Sequence, residues 1–341
     1  MSDPKTAGPS PAAFFETLHG FQRTAALKTA LELDVFTAIH DGVTEVEPLA
    51  KKCGAAPRGI RILCDYLVVI GWLRKEGSRY ALTPESESFA SKQSKQYIGQ
   101  SVDFLLSPVQ MEAFANLTTT VRNGGVPAES PEGGSVTPEN PVWVNFARAM
   151  MPMMVFPAEL LAQMVAPALP PKAKVLDIAA GHGLYGMAVA RHRADCEVTA
   201  LDWPNVLAVA QENARNAGIE SRFHQLPGNA LSLDYGSGYH VVLATNFLHH
   251  FDKPTCHKLL RKIHDSLQPG GKVVILEFIP NEDRVTPSVP ASFSLMMLAT
   301  TPTGDAYTYS EYQKLLTDAG FRNIELHDLH PTFFRVVRAT K

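Results

Sequence analysis

The residues with the most to offer chemically fall in the second half of the chain. An apolar run, Lys174-Val175-Leu176-Asp177-Ile178, carries a carboxylate near its end and leads into Ala179-Ala180-Gly181-His182-Gly183-Leu184-Tyr185-Gly186. A glycine turn between a strand and a helix lets backbone N–H groups come close to a ligand. Gly181, Gly183 and Gly186 match G-x-G-x-x-G, a pattern that serves a nicotinamide dinucleotide equally well. Asp177 argues the other way. A carboxylate is badly placed beside a pyrophosphate and well placed beside a cation, such as the amino end of S-adenosylmethionine. The next apolar run ends at Leu201-Asp202, where an acid can accept from both hydroxyls of a ribose, whichever cofactor carries it. A tight structural turn and a plain strand-end aspartate are the readings without a ligand.

Two further segments follow at strand ends. Leu226-Pro227-Gly228-Asn229-Ala230-Leu231 is placed to reach an adenine, Asn229 by hydrogen bonding its edge and Ala230 by packing on it; Gly-Asn is also an ordinary turn dipeptide. Thr245-Asn246-Phe247-Leu248-His249-His250-Phe251-Asp252 lies where a substrate would sit. An imidazole titrates near neutrality and can take the proton of a hydroxyl. The paired histidines also admit a structural role. No further ligands stand at metal spacing, so no metal site is expected.

What must position these residues is an alternation of strands and helices. Strands are predicted over 174–178, 197–201, 221–226, 240–244 and 272–276, helices over 184–192, 206–217, 258–267 and 310–319, and closing strands over 322–327 and 332–338. Such βα units build a doubly wound parallel sheet that binds ligands at the C-terminal ends of its strands. The first part of the chain reads differently. A helix over 14–31 would show Phe14, Leu18, Phe21, Ala25 and Leu31 on one face, and a second would run through 33–39. A short helix would follow a capping box of Thr44 and Glu47, then a helix over 57–71 and a hairpin over 73–82. That order suggests a winged helix. Its candidate recognition helix carries only Arg58 and Arg61, so packing or dimerisation is favoured over DNA binding. Residues 123–141, rich in Gly, Pro, Ser and Glu, read as a loop, and 143–164 as a helix studded with Met150, Met151, Met153, Met154 and Met164. Methionines fill cores more often than they line binding surfaces, yet this stripe falls between the two predicted domains, where a substrate cleft would lie.

Bulk composition fits that plan. The 341 residues suit two domains, and 45% hydrophobic against 19% charged residues supports a sizeable core. A net charge of -3 argues against a nucleic-acid partner. Cys53, Cys64, Cys196 and Cys256 form no C-x-x-C pair and are expected to be reduced. Residues 1–11 show no signal-peptide pattern, and no stretch reads as the ~20 apolar residues of a membrane span. The expectation is a soluble, cytoplasmic protein with no membrane partner.

Taken together, Val175 to Gly183, Leu201-Asp202-Trp203-Pro204-Asn205-Val206, Gly228-Asn229-Ala230, Phe247 to Asp252 and Asp318-Ala319-Gly320-Phe321 resemble the small-molecule O-methyltransferase family of plant caffeate-type and bacterial enzymes. The resemblance spans the chain from about residue 12 to its end. It implies an α/β fold: a Rossmann-like class I methyltransferase domain with a mostly parallel seven-stranded sheet, and an N-terminal, mainly α-helical winged-helix dimerisation domain. The domain plan is then 1–110 for dimerisation, 111–170 for a helical linker and substrate-cleft region, and 171–341 for the S-adenosylmethionine domain. It further implies a homodimer, His249 as general base with Glu277 beside it, and Asp177, Gly181, Gly183, Asp202, Trp203, Asn229, Ala230 and Thr245 on the cofactor. Phe146, Met150, Met154, His250, Met296 and Met297 would face a small aromatic or polyketide-like acceptor; they are equally what a core contains. The chain departs from the family at four places: Asn229 and His250 stand where Asp is usual, Thr245 where Lys is frequent, and Ala306 where many members have a second Glu, with Asp305 beside it. Competing readings are methylation of carbon or nitrogen, a nicotinamide-dependent oxidoreductase, and a ligand-sensing winged-helix regulator.

Overall fold

The computed structural model describes residues 10–127 and 139–341. Most of the predicted 1–11 lead and 123–141 loop lies outside them. The chain divides into two compact units, the first ending at Val102 and the second beginning at Asp103.

The first unit is helical with one hairpin. Helices Ala12–Leu18, Gly20–Glu32, Val35–His40, Val46–Lys52 and Pro57–Val69 precede antiparallel strands β1 (Leu73–Glu76) and β2 (Arg79–Leu82). Its core gathers Leu31, Phe36, Leu49, Ile60, Leu67 and Tyr80. Two local expectations fail. The 14–31 helix is interrupted at His19, before Gly20, a weak helix former. The Thr44/Glu47 box does not form, because the helix starts one residue later, with Glu45 as N-cap and no side-chain cap. Pro57 opens its helix as expected, its missing N–H being one of the unpaired donors of the first turn. Arg61 is held internally: Asp65 pairs with both Arg61 and Lys75 and accepts from the Tyr80 hydroxyl, which ties that helix to the hairpin.

The second unit is built on seven strands: β3 (Lys174–Ile178), β4 (Glu197–Asp202), β5 (Phe223–Pro227), β6 (Tyr239–Thr245), β7 (Leu267–Glu277), β8 (Arg322–Asp328) and β9 (Arg335–Thr340). Their order is β5-β4-β3-β6-β7-β9-β8, and β9 runs antiparallel to the other six. Alternation sends Val175, Val241 and Val274 to a core shared with helices Val142–Val165, Leu184–His192 and Pro204–Asn216. Leu176, Val242 and Ile275 go to the opposite core, under helices Lys253–Ser266 and Tyr309–Asp318. The order reverses at β3/β6, so the C-terminal edge there is where a ligand crevice opens.

Sequence boundaries are corrected at several points. A 3-10 turn, Glu220–Arg222, delays β5, and β7 starts five residues early, at Leu267. The helix predicted from 258 begins at Lys253, since the Asp252 carboxylate accepts from the Thr255 N–H and caps it. Helix Ser288–Thr300 was not anticipated. Residues 142–168, 27 in number, do reach the length and apolar composition of a membrane span, contrary to expectation; half of their most apolar stretch is buried in the protein.

Candidate active site

The ends of β3 and β4 are tied by the turn between β3 and its helix. Asp177 is fully buried, and its Oδ2 accepts the Gly186 N–H at 3.0 Å, while Oδ1 is buried without a partner among the described residues. Burial pushes the Asp177 carboxyl up to about 7, the Gly186 bond opposes this, and the Asp202 charge adds to it. Asp202 accepts the Gly181 N–H on Oδ2 at 2.8 Å and the Trp203 N–H on Oδ1 at 2.7 Å. Burial raises it to about 6 against those two bonds. A carboxylate has about four acceptor positions, so Asp202 keeps capacity for further donors.

The three glycines differ in purpose. At Gly181 an added Cβ meets only the Ala179 carbonyl, at 3.9 Å, so the turn leaves open ground there. At Gly183 a Cβ would lie 3.1 Å from Ala210, Met187 and Phe223, so this glycine turns into the core. At Gly186 it would lie 2.7 Å from Val198 and 2.9 Å from Asp177 Oδ2, so only glycine lets the helix reach the carboxylate. Between them His182 is buried, which lowers its pKa to about 4 and keeps it neutral; its Nδ1 accepts the Leu184 N–H.

Asn229 and Ala230 follow β5. The Asn229 Oδ1 is taken by the Leu231 N–H at 2.8 Å, an Asx turn, which leaves the amide nitrogen for other use. Ala230 is buried, and the Lys262 ammonium binds its carbonyl at 2.8 Å. Trp203 packs against a small cluster of Ala147, Val206 and Val209, as do Trp143 and Val144. Thr245 closes β6, buried, paired with Leu276.

Beyond Thr245 the backbone bends sharply. Asn246 has φ of 51°, a left-handed turn that Asn tolerates, and a 3-10 turn over Leu248–His250 follows. Glu277, at the end of β7, binds three donors of this bend: the N–H groups of Phe247 and Leu248, each 2.9 Å from Oε1, and His249 Nδ1, 2.5 Å from Oε2. Both side chains are buried. A carboxylate accepts, so Nδ1–H donates to Oε2, and in the neutral ring the lone pair falls on Nε2. Nε2 has no partner among the described residues and is not sealed from solvent.

Aromatic rings line this bend. Phe293 meets His249 edge-on at 4.9 Å and stacks on Phe278 at 3.8 Å. Trp143 meets His250 edge-on at 5.3 Å, and Phe146 joins Trp143 at 5.7 Å. Met150 and Met154 lie in the core, where the Tyr185 hydroxyl donates to Met154 sulfur at 3.4 Å; Met297 is buried and Met296 half-buried on Phe293's helix. Asp305 turns to Arg284 at 3.2 Å, not to His249, so it does not stand in for a second glutamate beside the base; Ala306 is buried. Backbone ties the two segments instead. The Asp305 N–H donates to the His249 carbonyl at 2.9 Å, and at Gly304 a Cβ would fall 2.3 Å from that same oxygen. The Thr301 hydroxyl joins this strap to the preceding helix, accepting the Gly304 N–H at 2.8 Å and donating to the Met297 carbonyl at 2.6 Å.

Sequence reasoning missed Phe278, Phe293, Tyr185 and Asn246. Tyr185 reads as one more residue of an apolar helix start, and Phe278 and Phe293 carry no polar signature. Asn246 had one: an Asn directly after a buried strand is a candidate for positive φ.

The geometry has counterparts in known proteins. The profile of the O-methyltransferase domain family matches residues 138–322, and that of the O-methyltransferase dimerisation domain matches 15–92. The chain is 27% identical over 330 residues to the tetracenomycin polyketide synthesis 8-O-methyl transferase TcmO of Streptomyces glaucescens, covering 94% of each chain. A crystal structure from Nostoc punctiforme, described as a candidate O-methyltransferase, superposes with a TM-score of 0.94 at 51% identity, covering 98% of this chain and 100% of that one. Human N-acetylserotonin methyltransferase, solved in complex with SAM, shares the fold with a TM-score of 0.85 at 21% identity, covering 99% of each chain.

Proposed function

Because the chain belongs to the O-methyltransferase family, we propose that it moves the methyl group of S-adenosylmethionine to a hydroxyl of a small, flat aromatic or polyketide-like molecule, with His249 taking the hydroxyl proton. The observation that carries this reading is the Glu277–His249 pair, buried, 2.5 Å long, with Nε2 left open.

The chain's residues fit the cofactor. The unpartnered Asp177 Oδ1 and the open ground at Gly181 suit a nucleoside with a cationic amino-acid end. We assign the amino end to Asp177 and the turn of Gly181 and Gly183, the ribose to Asp202 with Trp203 beside it, the adenine to Asn229 and Ala230, and the strand-end wall to Thr245. When bound, the cofactor supplies an electrophilic methyl on a positively charged sulfur, and the sulfur keeps the electron pair of the bond that breaks. His249 Nε2 accepts the proton as the acceptor oxygen bonds to the methyl carbon. Glu277 holds the imidazole in the needed tautomer and favours the imidazolium that results. The aromatic rings align the acceptor, and alignment of this kind can lower a barrier by about 7–11 kcal/mol. Phe146 and His250 are assigned to the acceptor side, with Met296 beside Phe293; Met150, Met154 and Met297 shape that side from within the core.

The test is His249→Ala. S-adenosylhomocysteine binding by calorimetry should stay near wild type, and kcat should fall about 10²–10⁴-fold. Undiminished kcat would remove His249 from the base role.

The domain plan of 1–110, 111–170 and 171–341, with a winged-helix-type first domain, is proposed on the helix-hairpin order and the match at 15–92. A homodimer is proposed on that match and on Phe14 and Phe21, 67% and 65% exposed. Four unpaired thiols support a cytoplasmic setting.

A further inference from the structure

We propose that His250 reads the acceptor: its Nε2–H donates to a second oxygen ortho or peri to the hydroxyl that His249 deprotonates. Preferred acceptors are then aromatic hydroxyls flanked by a carbonyl or ether oxygen. This rests on His249 being the base.

The two imidazoles are consecutive on one 3-10 turn, with ring centroids 4.3 Å apart and planes inclined by 52°. Their surroundings differ. His249 faces a carboxylate through Nδ1, so its Nε2 is an acceptor. His250 has the opposite arrangement. Its Nδ1 is sealed from solvent with no partner among the described residues. A proton on Nδ1 would be a buried donor with nothing to bond, whereas on Nε2 it can meet a ligand, so we place the lone pair on Nδ1 and the proton on Nε2. Burial, with the neighbouring His249 adding to it, holds the His250 pKa well below the ordinary value, so the ring stays neutral. With those tautomers the bend carries an acceptor and a donor on two rings whose centroids lie 4.3 Å apart.

The complement of that pair is an O–H beside an oxygen lone pair. Two oxygens on neighbouring or peri carbons lie about a hydrogen-bond length apart, ~2.7 Å. Rings 4.3 Å apart can address both together. In the free acceptor these oxygens bond to each other, which ties up the very proton that must leave. His250 replaces that internal bond at the second oxygen and frees the O–H to turn toward His249. Withdrawing electron density there also eases loss of the proton. Carboxylates that could capture the Nε2–H are otherwise engaged: Glu277 holds three donors and Asp305 pairs with Arg284. Trp143 and Phe293 frame the pair with edges suited to a flat ring.

The test compares kcat/KM for 1-hydroxyanthraquinone, whose hydroxyl is peri to a carbonyl, with 2-hydroxyanthraquinone, whose hydroxyl is isolated. His250→Phe should lower the ratio of the two about tenfold, the worth of one hydrogen bond, and His250→Gln, which keeps a donor, should restore part of it. Nitrogen-15 NMR of labelled histidine should show His250 as the neutral Nε2–H tautomer and His249 as Nδ1–H in the ligand-free protein. A ratio unmoved by His250→Phe, or a proton on His250 Nδ1, overturns the role of His250 alone. Failure of the wild type to methylate either isomer, with cofactor bound, overturns the aromatic hydroxyl acceptor as well.

Discussion

Asp177 shows how a single buried carboxylate links folding to ligand binding. With its pKa raised to about 7 from an ordinary 3.8, the folded chain holds a proton that the unfolded chain releases at lower pH. Stability of the ligand-free protein should therefore fall as pH rises from about 4 to about 7 and then level off. Asp202, raised to about 6, adds in the same direction. A bound cation reverses the preference, so S-adenosylmethionine binding near pH 6 should release protons, read as a binding enthalpy that changes with buffer ionisation enthalpy. Asp177→Asn should raise the melting temperature at pH 8, weaken cofactor binding and reduce that release to the share of Asp202; an unchanged release would rule out Asp177 as a source. The carboxylate and both histidines were legible in the sequence, because strand-end polar residues after apolar runs stand out. The separate purposes of Gly181, Gly183 and Gly186 were not, since a shared letter hides whether a missing Cβ faces ligand, core or carboxylate. Gly186→Ala should cost both stability and cofactor affinity, the added methyl falling 2.9 Å from Asp177.

Among the elements, the parallel sheet and most of its helices were legible from alternating short apolar runs and amphipathic stretches. Helix Ser288–Thr300 was not. Its only buried residues are Pro290, Met297 and Ala299, and its sequence is apolar nearly all round, so no periodic face marks it. The early start of helix Lys253–Ser266 has a functional side. The Asp252 cap fixes the chain directly after the histidine bend. Asp252→Ala should cost about 1 kcal/mol of stability, read by urea denaturation, with a smaller loss from Asp252→Asn. If the cap also anchors the bend, kcat drops with Asp252→Ala while cofactor affinity holds.

For the whole molecule, Phe14, Leu18 and Phe21 are large apolar side chains left exposed on the first unit. The predicted face over 14–31 divides at His19; Phe14, Leu18 and Phe21 stay exposed while Leu31 enters the core, and periodicity carried no information about what covers the exposed part. A second copy of the chain is the proposed cover. Phe14→Glu with Phe21→Glu should shift sedimentation from dimer to monomer at micromolar concentration, while circular dichroism keeps the helical signal. A dimer that survives both changes would place the contact elsewhere.

The strap of Thr301, Gly304 and Asp305 has a consequence for altering what this enzyme accepts. It presses against the backbone oxygen of His249 and is anchored to the helix that carries Phe293 and Met296. Reshaping that helix to admit a bulkier molecule therefore tugs on the proton acceptor itself. Redesigned variants should trade turnover for breadth, and those that keep their rate will be the ones whose remodelling stops short of Thr301.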